Sequence, residues 1–261
     1  MSDWLHDLPL IWMALVIFGV IYVLAAVIQI VVRLLATGDR LRAFKAISPG
    51  MLSPLGIIFG LFVVFTAAQV WNDTDHANAA VNREASALKS VLVLSGGFPG
   101  EPDAHFAGLI RRYVEETATQ EWPMMARQAA TLSISPAPLA EALQQALALS
   151  PGGPGQQIAQ REIVTSLENA LEARRQRIHV SQSQVNLTKW MCLVLQAICA
   201  FFAIAIVHSE NRLASAISMG MFATGVAASV LLILAHDRPF LGQLAIGPEP
   251  LLQVMPKMPK S

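Results

Sequence analysis

The sequence predicts an all-α membrane protein, with four transmembrane helices and a helical-bundle insert between the second and third. Three observations carry this prediction. Only 14% of the 261 residues are charged, where a soluble domain carries about 25%. Four apolar runs are each long enough to cross hydrocarbon about 30 Å thick, which takes roughly 20 residues at helical rise. Between the second and third runs lie about 115 residues of another character, with 12 acidic and 9 basic side chains. The chain therefore divides into 1–71 (two spans and a short basic loop), 72–188 (the insert), 189–236 (two further spans) and 237–261 (a Pro/Gly-rich tail).

The first span is expected over Pro9 to Leu35. Asp3 and Asp7 stand where a signal peptide carries basic residues, and the run exceeds an h-region, so it reads as a retained membrane helix. The second runs from Leu55 to Trp71. It is apolar on every face, with Thr66 and Gln69 as interruptions, and such a helix belongs in lipid or a large core. With three comparable runs in so short a chain, lipid is the better surrounding. The third run is Trp190 to Val207 and the fourth Leu213 to Ala235. Trp12, Trp71 and Trp190 fall near run ends, where an indole sits well at the interface.

The insert reads as helical throughout. Ala77, Ala80, Val81, Ala85, Leu88, Val91 and Leu92 recur at helical spacing, so the second span continues to about residue 95, where "SGGFPGEP" stops it. A helix over about 103–128 presents Phe106, Leu109, Ile110, Tyr113 and Val114 on one face. A short helix over about 137–149 follows "SISPAP", and "SPGGPG" precedes a long one over about 156–187. That last helix carries Val164, Leu167, Leu171, Ile178 and Val185 near coiled-coil spacing, with Arg174 and Ser181 where apolar residues are expected. Packing in an irregular bundle accounts for such a seam. The tail is expected to be irregular, on the surface or against the bundle.

Loop charge sets the orientation. Arg33, Arg40, Arg42, Lys45 and Arg212 flank the two short loops, and short loops dominate the positive-inside effect. The short loops are thus expected in the cytoplasm and the insert outside it.

Formal net charge is zero, which gives no reason to expect nucleic acid as a partner. Cys192 and Cys199 sit in a hydrophobic run without a CxxC or Cys/His spacing, and read as free, buried thiols. The six histidines form no metal-binding spacing, and no nucleophile elbow or phosphate loop occurs, so no metal, cofactor or enzymatic activity is expected. Glu115, Glu116 and Glu121 read as a solvated helix face, and His236-Asp237-Arg238 as interface charges at a helix end.

Candidate functional residues lie in the spans. Gly56 and Gly60 form a GxxxG, and Ala216, Gly220, Thr224 and Ala228 place a small residue at every fourth position. Both patterns let helix backbones approach in lipid. Beside the glycine row run Ile57, Leu61 and Phe65, then Gln69 and Asp73. Residues four apart share a helix face, so bulky apolar groups give way to an amide and then a carboxylate. Such a row is either a lipid- or helix-facing ridge or a pore lining, a constriction gating by dewetting with a polar mouth beyond. The pore needs a ring of copies, since one helix cannot enclose water.

The order two spans, helical insert, two spans resembles the bestrophins, pentameric anion channels, and "PLGIIFGLFVVFTAAQVW" resembles their second helix. "VNREASAL" (81–88), "RRYVEETATQEWPMM" (111–125), "DRPFLG" (237–242) and "GPEPLL" (247–252) further resemble a bacterial membrane-protein family called bestrophin-like. The resemblance implies a homo-oligomeric ring, a pentamer in the bestrophins, in a bacterial inner (plasma) membrane, with the lipid bilayer and inorganic ions as partners. It places Ile57, Leu61 and Phe65 at the neck as a gate and Gln69 and Asp73 at its mouth. Bestrophins continue past the neck with basic residues, whereas this chain has Asp73 and Asp75; acidic rings favour cations, so ion selectivity stays open. They also keep the insert cytoplasmic, against the loop charges here. The other class of function open to this layout is a membrane-anchored sensor or scaffold with an extracytoplasmic helical bundle.

Overall fold

The computed structural model describes residues 8–36, 48–98 and 102–255. Arg40, Arg42 and Lys45, Asp3 and Asp7, and the end of the tail lie outside them. Among the described residues every regular element is helical.

Helix starts follow local chemistry. Pro9, which could donate no hydrogen bond, precedes α1 (Leu10–Leu35). Ser48 accepts from the Gly50 N–H at 3.2 Å and opens a 3₁₀ turn, Pro49–Met51, that leads into α2 (Leu52–Ser95). Two later helices begin with asparagine caps, a favoured N-cap residue. Asn186 accepts from the Lys189 N–H ahead of α7 (Leu187–Val207), and Asn211 from the Leu213 and Ala214 N–H groups ahead of α8 (Arg212–His236). Between them lie α3 (Pro102–Glu116), a π-helical turn (Thr117–Glu121), α4 (Trp122–Ala126), α5 (Ala137–Ala148) and α6 (Pro154–Ser181). A short α9 (Glu249–Leu252) interrupts the tail.

Helices α1, α7 and α8 and the segment holding the start of α2 are long and apolar enough to cross a membrane. The 44 residues of α2 extend about 66 Å at 1.5 Å per residue, roughly twice the hydrocarbon thickness. Its polar second part therefore belongs outside the membrane, as the sequence pattern anticipates.

The chain divides into two compact units. One holds the described residues up to Asn72 with Gln184–Asp237 and Gly242–Leu244. Here α1 packs on α7 and α8. Its core includes Ile28, Val32, Phe59, Val70, Phe201, Met219 and Ala223. The Phe222 ring lies 5.5 Å from Phe59 and 5.2 Å from Phe201, both within the range of favourable aromatic pairs. Several polar groups in this apolar unit are paired, although the buried Gln196 Oε1 has no partner among the described residues. Tyr22 and Thr224 share a 2.7 Å hydroxyl bond, Gln29 donates to Ser215, and Thr66 bonds back to the Phe62 carbonyl. Asp237, at the end of α8, accepts from the buried Val185 N–H at 2.7 Å.

The second unit comprises Asp73–Ser183, Arg238–Leu241 and the described residues from Ala245. Its core joins Ala77, Val81 and Leu88 of α2, Phe106 and Ile110 of α3, Leu139 of α5, Leu167 and Ile178 of α6, and Phe240 and Leu251 of the tail. Ser95, at the end of α2, donates to Asp103 in the first turn of α3 at 2.7 Å. The tail lies against this core, and the Trp122 indole donates to the Ile246 carbonyl at 2.9 Å.

Three expectations are corrected. Cys192 and Cys199 are free but exposed, on the outer side of α7 rather than in its core. The helix expected over 103–128 is broken by the π turn. An unbroken α-helix would set the Pro123 ring against the Thr119 carbonyl; instead the Trp122 N–H reaches the Thr117 carbonyl, five residues back. The long insert helix ends at Ser181, before the seam can reach Val185.

Candidate functional site

Two features of the folded chain can carry function, and each is described within its own unit. The first is the outer face of α2 in the membrane-spanning unit. Phe59, Ala67 and Val70 turn inward to the core. Ile57, Leu61 and Phe65 turn the other way and are 60%, 52% and 71% exposed. This row is apolar and belongs to a wider exposed apolar face that also includes Ile58 and Val64. Gln69, one turn further on, is not bare: its Oε1 accepts from the Lys189 ammonium on α7. The sequence row therefore brings a cation from another helix to the amide. Asp73 is partly exposed at the start of the insert unit.

Apart from Thr224, which bonds to Tyr22 of α1, the small-residue rows lie outside the buried core of the subunit. A Cβ added at Gly56, Gly60 or Gly220 would meet nothing within 4 Å. Ala216, Thr224 and Ala228 are exposed, while the buried stripe of α8 runs through Ser215, Met219, Ala223, Val226 and Ala227. Thr224 has its own role, bonding Tyr22 and the Gly220 carbonyl.

The second feature is a buried charge network in the insert unit. Arg177 on α6 is fully buried and donates to Glu84 of α2 through Nε at 2.7 Å and Nη2 at 3.1 Å. The same Nη2 reaches Glu121 Oε1 at 2.6 Å, and Nη1 contacts the Met125 sulfur at 3.2 Å. The guanidinium carbon lies 4.8 Å from the centre of the Trp122 ring, a cation–π contact. Arg174, one turn before Arg177, donates to Glu121 Oε2 through Nε at 2.8 Å and Nη2 at 2.5 Å. The Tyr113 hydroxyl donates to Glu84 Oε1.

Two carboxylates thus face two guanidiniums with fork-like bonds, which is the arrangement that makes buried charge tolerable. Burial pushes the Tyr113 phenol well above its ordinary pKa, and the adjacent Glu84 carboxylate pushes it further. Burial opposes the charge on Arg177, but attraction to Glu84 outweighs it and the pKa is raised. The network holds α2, α3, α4 and α6 together by bonds that are geometrically specific, unlike the apolar contacts around them.

Glu121 corrects the sequence reading. Glu115 and Glu116 are exposed as expected, but the Glu121 side chain is only 12% exposed and serves both arginines. Glu121 lies four residues after the buried Thr117 and seven after Val114, so the inner face that begins at Phe106 runs through it; the π turn brings Trp122, five residues after Thr117, to the same side. Among the described residues no cluster of His, Cys, Asp and Glu is arranged to hold a metal ion.

The bestrophin-like domain family matches residues 9–251. The chain belongs to the bestrophin-like family. A solved structure of a bacterial bestrophin homologue from Klebsiella pneumoniae, carrying a point mutation, shares the fold. Its TM-score is 0.70 at 12% identity, and the match covers 93% of this chain and 97% of that one. Among curated proteins no match is found. The segments that carried the bestrophin-like resemblance in the sequence supply the insert's interior. "VNREASAL" contains Glu84; "RRYVEETATQEWPMM" contains Tyr113, Glu121, Trp122 and Met125; "DRPFLG" and "GPEPLL" contain the buried Phe240 and Leu251.

Proposed function

We propose that this bestrophin-like protein is an oligomeric ion channel in which α2 lines the pore. Ile57, Leu61 and Phe65 form its hydrophobic gate, and Gln69 and Asp73 stand at its mouth. The observation that carries the reading is the exposure of the Ile57–Leu61–Phe65 row within the subunit, in a chain whose fold matches a bacterial bestrophin homologue. Copies arranged around an axis would bring these side chains together into an apolar constriction, and such constrictions gate by dewetting. The open space beside Gly56, Gly60 and Gly220 supports close approach of neighbouring copies there. The inner membrane is the proposed location, with the insert on the extracytoplasmic side, as the basic residues of the short loops require.

The decisive experiment is ion flux through purified protein in liposomes. Phe65→Ala widens the neck and raises flux over wild type. Flux absent from both proteins removes the gate. A second reading, a membrane-anchored sensor or scaffold, draws support from the buried network in the insert. It predicts a stoichiometric partner protein; recovery of the protein without one counts against it.

A further inference from the structure

A groove of about 240 Å³ runs between α1 and α7 in the membrane-spanning unit, with α8 beneath it. Ile17, Leu193, Ala197 and Val226 form its buried floor, and Val20 and Val194 stand exposed on its two rims. It extends from Trp190 to Ala197, about 10 Å at helical rise, which is most of the roughly 15 Å depth of one leaflet. We propose that this groove holds one acyl chain of a membrane phospholipid, drawn from the leaflet at which α7 begins, with the lipid's ester oxygens at Trp190.

Two observations commit the site to that occupant. The first is its width. Spreading 240 Å³ over about 10 Å leaves a section of about 24 Å², roughly 5 to 6 Å across. An α-helix with its side chains is about 10 Å across, so a helix of a second copy does not enter. A polymethylene chain does, since its carbons settle about 4 Å from those of the walls. The second is the end of the groove. Trp190 lies in the first turn of α7, at the start of a span. Its indole N–H has no acceptor among the described residues and is not sealed from its surroundings. Indoles sit well at a membrane border because the ring is apolar while the N–H seeks an acceptor. A phospholipid ester carbonyl supplies that acceptor while the chain below it fills the groove.

The lining excludes water as the filling. An ordered water needs several polar partners, and Trp190 is the one side chain in the groove with a polar group. Lipid tails are as apolar as the walls, so the hydrophobic effect does not drive a chain into place. Packing does. A chain on the open surface of a span is touched on one side, whereas here α1, α7 and α8 touch it on three, and an empty groove would leave those walls without partner atoms. The open side, between Val20 and Val194, is continuous with the exposed apolar surface of the spans, which lipid covers. The inference does not rest on the proposed pore, because the chain is bound whether or not the protein conducts.

The test uses the full-length protein in detergent, carrying Trp4→Phe, Trp12→Phe and Trp71→Phe. Trp190 is then the reporter in the spans, and Trp122, buried in the insert, is the internal reference. The probe is phosphatidylcholine brominated along its acyl chains, since bromine quenches an indole on contact. Added at low mole fraction, it should quench the Trp190 emission saturably. Unbrominated phosphatidylcholine should reverse the quenching, and the chainless headgroup, glycerophosphocholine, should not. Val20→Phe places a ring on the open rim, where it disturbs no core contact, and Ala197→Leu fills the floor. Each should raise the half-saturating lipid fraction about tenfold or more, as overpacking does. Quenching that grows in proportion to lipid without saturating, or that is unchanged in both variants, would overturn the proposal. So would no quenching at all, as when a second copy covers the groove and Val20→Cys cross-links between copies.

Discussion

Replacing Arg177 by Met keeps the bulk of the stem and removes the charge at the centre of the insert. Glu84, whose side chain is 0% exposed, then loses both arginine bonds and keeps only the Tyr113 hydroxyl. Glu121 loses one of its two arginines but retains Arg174. Breaking a buried pair from one side costs about 3–5 kcal/mol, because a carboxylate is left without its counter-charge. Domains of this kind have total stabilities of about 5–15 kcal/mol. At roughly 3–5 °C per kcal/mol for a unit of this size, the unfolding temperature should fall by about 10 °C or more. The assay is thermal unfolding of the full-length protein in detergent, with protease resistance of the insert read in parallel. Adding Glu84→Gln to Arg177→Met removes the stranded charge, so the double variant should be more stable than Arg177→Met alone. The coupling should be about 2 kcal/mol or more. A fall of under about 2 °C for Arg177→Met, or strictly additive effects, would refute the view that these charges lock the insert together.

The remaining predictions concern pH, sidedness and the membrane unit. The raised pKa of Tyr113 means that the folded state holds its proton at pH values where the unfolded chain has released it. Stability should therefore fall as pH rises above about 10, and Tyr113→Phe should flatten that fall while costing the bond to Glu84. An equally steep alkaline loss in the variant would contradict the assignment. A cysteine at exposed Ser150, with Cys192 and Cys199 replaced by Ala, should react with an impermeant thiol reagent from the extracytoplasmic side of intact cells; labelling only after lysis would reverse the orientation. Lys189→Met should leave the Gln69 amide without its partner and lower the unfolding temperature of the membrane unit modestly. It should leave the insert's protease resistance unchanged, and a change there would contradict the local role.

Much of the fold was legible because its signals are local. Pro9 and the asparagines before α7 and α8 stand at helix starts, and length with hydropathy marks the spans. The continuity of α2 was visible in the unbroken spacing from Ala77 to Leu92. The charge network was not visible, because its partners come from distant parts of the chain. Glu84 and Arg177 are 93 residues apart, and Glu121 and Arg174 are 53 apart. Arg174 did stand out as a charge on an apolar seam. Glu121 was assigned to solvent because clustered glutamates usually make a solvated face, although it lies four residues after Thr117 and seven after Val114 on the inner side of the helix; Pro123 was a local sign of the π turn. The outward row of α2 could be read as a face but not as a destination, since periodicity is the same whether lipid or another subunit covers it.

The measurement that tests the central claim most directly is the mass of the detergent-solubilised complex. The proposed pore requires α2 of one subunit to face its copies across an axis, so the protein should carry a closed ring's mass, about five times the 28.2 kDa of the chain. Cysteines placed at Phe65 should then cross-link between subunits. A monomer of about 28 kDa, with a cysteine at Phe65 reacting only with lipid-soluble reagents, would contradict it.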